Sequence, residues 1–153
     1  MSQTEDFVKV VQEAEKNKSG VIFVTGKPGS GKSKVLREAS QDMKWDYVDC
    51  RMLISEEFLS VPQEGRNEKA PEMMGEILAS YNSDVILLDR LQTLFVPVFH
   101  LDVGTLLKKL SKNMVLVAAW PGYVKDGVLC YDKFDGTESI RIPAEGFTVW
   151  NVD

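Results

Sequence analysis

The chain has 153 residues, 44% apolar and 27% charged, which excludes a disordered polypeptide and leaves room for one ordinary domain. A domain of about 150 residues buries roughly 70% of the surface its unfolded chain exposes, so a core needs neither disulfides nor structural metal. Eighteen basic against 23 acidic residues give a formal charge of -5, which excludes an overall positive field able to hold nucleic acid by its phosphates.

Residues 4–16 place Phe7, Val8, Val10, Val11 and Ala14 at mostly three- and four-residue spacings among charged side chains, the pattern of an amphipathic helix. Val21-Ile22-Phe23-Val24 is an unalternating run rich in β-branched residues and predicts a strand buried on both faces. A glycine-rich loop follows, then a helix over 33–41 and a short strand over Asp46–Asp49. From 51 to 70 the periodicity weakens: 54–59 reads as a helical turn or two and 62–67 as an exposed loop. Pro71 suits the first turn of a helix running to residue 81, with Met73, Met74, Ile77 and Leu78 on its apolar face.

Val85-Ile86-Leu87-Leu88-Asp89 reads as a third buried strand ending in a carboxylate, 101–110 as a helix, and 114–119 as a fourth strand. The tail from 128 to 152, punctuated by Gly136 and Gly146, reads as two or three short strands, some antiparallel. Strands that alternate with helices need crossovers, and crossovers cover both sides of a parallel sheet. The predicted fold is a single three-layer α/β domain over residues 1–153, with a mostly parallel sheet, helices on both faces, a short β-rich C-terminal tail and no helical lid.

Cys50 and Cys130 show neither a disulfide framework nor CxxC spacing and read as free thiols of a reducing compartment. No amino-terminal apolar segment is present, and the longest apolar run, 114–120, is far short of the roughly 18 residues of a membrane span. A cytoplasmic protein with no membrane partner is expected.

Gly26-Lys27-Pro28-Gly29-Ser30-Gly31-Lys32-Ser33 fits G-x-x-x-x-G-K-[ST] and lies between a predicted strand and a predicted helix, the context this phosphate-binding motif requires. The glycines let the backbone wrap a polyphosphate with its N–H groups inward, and the following helix, through Lys34, adds its positive end. Lys32 is expected to reach the β- and γ-phosphates of ATP, and the Ser33 hydroxyl to hold Mg2+. Asp89, at the carboxyl end of a buried strand, is the expected second Mg2+ partner. No guanine-reading N/T-K-x-D motif is present, which favours adenine.

In many P-loop ATPases of the AAA+ kind a glutamate follows this aspartate and orients the attacking water; here that position is Arg90. Asp49, ending the second strand, either supplies a carboxylate from the neighbouring strand or is a turn residue. Arg90 either pairs with an acid beside the sheet, touches phosphates in its own chain, or projects to a neighbouring subunit. Arg141 is either a finger acting on a neighbour's site or an exposed strand arginine. The fourth strand ends in Ala119-Trp120-Pro121, where such proteins carry a polar sensor. His100 and the apolar 94–99 stretch read as interior or boundary positions, with an oligomer contact as the other reading of 94–99.

An amino-terminal amphipathic helix, VIFVTGKPGSGKS, VILLDR, a VLVAAWPG strand and a short β-rich tail together resemble the BrxF family, small P-loop proteins of type III BREX bacteriophage-defence systems. The resemblance implies an ATP-binding component of an antiviral complex that works with larger subunits, including an ATPase and a methyltransferase, and carries over Gly26 to Ser33 and Asp89. Three functions follow: a slow ATPase or nucleotide-dependent assembly switch that oligomerises on binding nucleotide; a small-molecule kinase, since Asp89-Arg90 resembles the acid-arginine pair of nucleotide kinases; and a DNA-binding oligomer. Nucleic acid is expected only through partners or through an oligomer that gathers Lys108, Lys109 and Lys112.

Overall fold

Unalternating runs of Val, Ile, Leu and Phe have no solvated face to offer, so the strands that carry them sit inside a sheet. In the computed structural model, which describes residues 3–133 and 139–152, three such strands are β1 (Gly20–Thr25), β3 (Val85–Asp89) and β4 (Val115–Ala119). β2 (Asp46–Asp49) and β8 (Thr148–Asn151) close the two edges, giving the order β2-β3-β4-β1-β8. Every pairing in this sheet is parallel, so the carboxyl ends of its strands share one edge. Register sets Asp49 directly opposite Asp89 at that edge.

Helices α1 (Gln3–Lys16) and α2 (Lys32–Met43) cover one face, where Phe7, Val11, Leu36 and Ala39 meet Ile22, Val24, Leu87 and Val117. On the other face α3 (Glu56–Leu59), α4 (Arg66–Ala79) and α5 (Val103–Leu110) bring Phe58, Met74 and Leu107 against Phe23, Leu88 and Trp120. No helix among the described residues is long and apolar enough to cross a membrane. Both cysteines are free and buried.

From β4 to β8 the described residues form no helix. β5 (Tyr123–Lys125), β6 (Val128–Asp132) and β7 (Ser139–Pro143) make a separate antiparallel sheet, with Leu129 and Ile142 in the same core as α4 and α5. The described part of the tail from 128 to 152 holds three strands, β6, β7 and β8, within the two or three expected, and β5 precedes it as a strand the sequence did not predict. β5 escaped because it is short and wholly exposed, without the alternation that marks a half-buried strand. Gly136 of the predicted tail lies outside the described residues.

The expected loop over 62–67 and the helix start at Pro71 are corrected. Gln63–Gly65 is a 3-10 turn, α4 begins at Arg66, and Pro71 lies inside the helix. Arg66 makes this start: it is buried, with Nε donating to the Val61 carbonyl at 3.0 Å, Nη1 to Val98 at 2.6 Å and Nη2 to Leu59 at 2.9 Å. One guanidinium thus joins the chain before α4 to the 3-10 turn Pro97–Phe99. Arg66→Met leaves those carbonyls without donors, and urea unfolding is expected to show a loss of about 2 kcal/mol. Unchanged stability would mean that water replaces the guanidinium at no cost.

The apolar stretch 94–99 divides, with Leu94 and Phe95 buried while Val96 and Val98 are exposed. Of the interior and boundary readings of His100 the interior one is corrected: the residue is exposed, with its Nε2 3.2 Å from Gln63 Oε1.

Candidate functional site

The loop from Gly26 to Gly31 leaves β1 at the sheet's carboxyl edge and enters α2. Gly29 and Gly31 hold φ of 80° and 100°, where an L side chain is strained. Gly26 meets a different demand: a Cβ there would lie 2.5 Å from Ser30 Oγ and 3.1 Å from the Val152 carbonyl oxygen. The loop closes on itself through the Ser30 N–H, which donates to the Lys27 carbonyl at 2.9 Å.

α2 starts without a side-chain cap, since Gly31 occupies the cap position, and its first turn carries no acid. The Val35 N–H is satisfied by the Gly31 carbonyl, whereas the N–H groups of Lys32, Ser33 and Lys34 precede the helix's own acceptors. An uncapped helix start beside a glycine loop carries partial positive charge, which favours an anion. Ser30 Oγ is buried and has no hydrogen-bond partner, a polar atom of this loop that protein alone does not satisfy.

Lys32 Nζ donates to the Gly26 carbonyl at 3.1 Å, which folds the ammonium back over the loop. Burial lowers its pKa, and the negative charge of Asp89 opposes that shift, so the predicted phosphate lysine and the predicted metal carboxylate share one local field. Lys27 and Pro28 are exposed, and Lys34 forms an exposed pair with Glu38 at 3.8 Å.

Asp89 accepts from the Tyr47 hydroxyl through Oδ2 and from the Arg90 N–H at 2.9 Å through Oδ1. Tyr47 was not anticipated, although alternation along β2 puts it on the same face as Asp49, and register brings β2 beside β3. Burial first, then the bond to the Asp89 carboxylate, pushes the Tyr47 phenol up to about 12. A folded pKa above the ordinary value near 10 means that this stabilisation is complete below about pH 10 and is lost as pH rises toward 12. In an alkaline titration followed by phenolate absorbance, the last tyrosine to ionise is expected to vanish in Tyr47→Phe. An identical curve in that variant would contradict the bond.

Arg90 takes a left-handed backbone, φ 59°, and its Nε lies 3.0 Å from Asp49 Oδ2. That oxygen also receives Arg51 Nη2 at 2.8 Å and Nε at 3.1 Å, while Oδ1 accepts the Arg51 N–H at 2.9 Å. The Arg51 hydrogen bond, with both guanidinium charges adding, holds the Asp49 carboxyl below the usual carboxylate range. Of the three readings of Arg90, the structure shows the pairing with an acid beside the sheet. Arg141 lies on the antiparallel sheet, exposed, with Nη1 2.9 Å from Asp132 Oδ1. Trp120, where a polar sensor was sought, is fully buried and donates Nε1 to the Cys130 carbonyl at 3.0 Å.

Among the described residues no three His, Cys, Asp or Glu side chains gather to cage a metal. Mg2+ bound with a nucleotide takes only one or two protein ligands beside phosphate oxygens and water, and a Ser33 hydroxyl with one carboxylate, Asp89, suits that demand.

No family model matches the chain, and no curated protein does. Among solved structures it is similar to a DNA replication initiation factor, at 19% identity over 100% of this chain and 47% of that one, TM-score 0.46. AMPPCP-bound DnaA from Aquifex aeolicus gives 19% identity over 95% of this chain and 45% of that one, TM-score 0.45. PCH-2 from C. elegans gives 16% identity over 98% and 41%, TM-score 0.47. The chain spans less than half the length of these three structures. Its own topology, with the glycine loop between β1 and α2, Asp89 ending β3 and β4 lying between those two strands, is that of an α/β P-loop NTPase fold.

Proposed function

We propose that the chain binds Mg-ATP at the loop Gly26–Ser33 and hydrolyses it slowly, so that the bound nucleotide sets its assembly with neighbouring subunits. The carrying observation is the loop itself: an uncapped helix start and the orphaned Ser30 hydroxyl beside a lysine held in the field of Asp89. Backbone N–H groups of the loop and Lys32 would take the phosphates, and Ser33 and Asp89 the Mg2+. Bound Mg2+ bridges phosphate oxygens and neutralises their charge. Tyr47 fixes which way the Asp89 carboxylate faces.

Slow turnover follows from what surrounds Asp89. Arg90 replaces the base, and Asp49, the other carboxylate of that strand edge, is clamped by Arg51 and Arg90 and held ionised at low basicity. Such a carboxylate is a poor proton acceptor, for water as for the hydroxyl of a kinase acceptor. The place of the assembly in a BREX-type antiviral complex is supported by the order of the sequence segments, from the amino-terminal helix through VIFVTGKPGSGKS and VILLDR to the VLVAAWPG strand.

Light scattering with and without Mg-ATP, with ADP measured in the same samples, tests this function. Growth in mass on adding Mg-ATP is expected, with ADP release below about 0.01 per second, the range of unassisted P-loop hydrolysis. Unchanged mass together with release near the ordinary enzyme value of about 10 per second would overturn it.

A further inference from the structure

We infer that the nucleoside half of the phosphate-loop ligand lies in the cleft between that loop and the turn joining β4 to β5, with the Tyr123 ring as its stacking platform. This rests on the nucleotide reading above. The cleft has a volume of about 570 Å³, within the range of small-molecule sites. Gly26 and Ser30 form one wall, so it is continuous with the phosphate loop, while Tyr123, Val124 and Asn151 form the others. The orphaned Ser30 Oγ belongs to a residue of this wall. No carboxylate lines the cleft among the described residues, so nothing there repels a nucleotide.

Tyr123 and Val124 stand 46% and 41% exposed at its lip, so part of their apolar surface is open to solvent. The Tyr123 ring is nevertheless anchored. Its hydroxyl donates to Asp132 Oδ2 at 2.7 Å, and Asp132 is held in turn by Arg141. An aromatic ring tethered by its hydroxyl, with its body left in solvent beside a polyphosphate loop, presents a preformed face for a base. Backbone packing sets its place, since a Cβ on Gly122 would collide with the Cys130 carbonyl, so only glycine lets this turn press onto β6. Asp132 and Arg141 thereby act as positioning residues for Tyr123.

Calorimetric titrations of wild type, Tyr123→Ala and Tyr123→Phe with Mg-ATP and with Mg-tripolyphosphate test the inference. Wild type is expected to prefer ATP, and Tyr123→Ala to lose about tenfold in ATP affinity with tripolyphosphate affinity unchanged, since a stacked base contributes on that order. Tyr123→Phe keeps the ring and is expected to stay within about threefold of wild type for ATP. A Tyr123→Ala chain that binds ATP like wild type, or loses both ligands in parallel, would overturn the assignment and leave the phosphate loop standing. Wild type binding neither ligand would overturn the phosphate-loop reading and this inference with it.

Discussion

Trp120→Ala is expected to lower the free energy of unfolding by about 4 kcal/mol. The side chain is fully buried, its ring centroid 5.5 Å from both Phe23 and Phe95. Truncation opens a cavity between the main sheet and the antiparallel one, and the Cys130 carbonyl loses its donor. Trp120→Phe separates the two effects: it retains most of the ring and is expected to cost about 1.5 kcal/mol, mainly the unsatisfied carbonyl. Urea unfolding of both variants checks this. A loss below about 1 kcal/mol in Trp120→Ala would show that the antiparallel sheet is an appendage rather than part of the core.

Lys32→Ala is expected to weaken Mg-ATP binding by about 100-fold, because a charge-assisted bond to phosphate contributes about 3 kcal/mol at the upper end and Lys27, the loop's other ammonium, is exposed. The fold should survive, since Lys32 gives up only one partly buried bond to the Gly26 carbonyl. Urea unfolding within about 1 kcal/mol of wild type, with affinity lost, is the expected pair of results. Unchanged affinity in that variant would remove Lys32 from the site, whereas parallel loss of stability would make it a structural residue.

The phosphate loop and the three hydrophobic strands β1, β3 and β4 were legible because each rests on a local pattern: an unalternating apolar run, or glycines spaced around a lysine. Asp46–Asp49 and Val85–Asp89 were read with their observed bounds. What was missed depends on contacts distant in sequence. Arg66 reads as a loop residue until the carbonyls of Leu59, Val61 and Val98 converge on it, and Pro71 then marks a false start. Tyr47 gains its role only when β2 pairs with β3. Of the strands that follow β4, β5 alone was missed, since Tyr123–Lys125 is too short and exposed to carry a hydrophobic signature. At the site, the sequence placed Asp49, Arg90 and Asp89 near one another, but the saturation of Asp49 by two guanidiniums is a property of side-chain geometry.

The most direct test of nucleotide binding is a calorimetric titration of the wild-type chain with ATP, once with Mg2+ and once with EDTA. One saturable site per chain is expected, with affinity at least about tenfold higher in Mg2+, because Ser33 and Asp89 contribute only through the metal. No saturable binding under either condition would contradict the assignment of the Gly26–Ser33 loop as a nucleotide site.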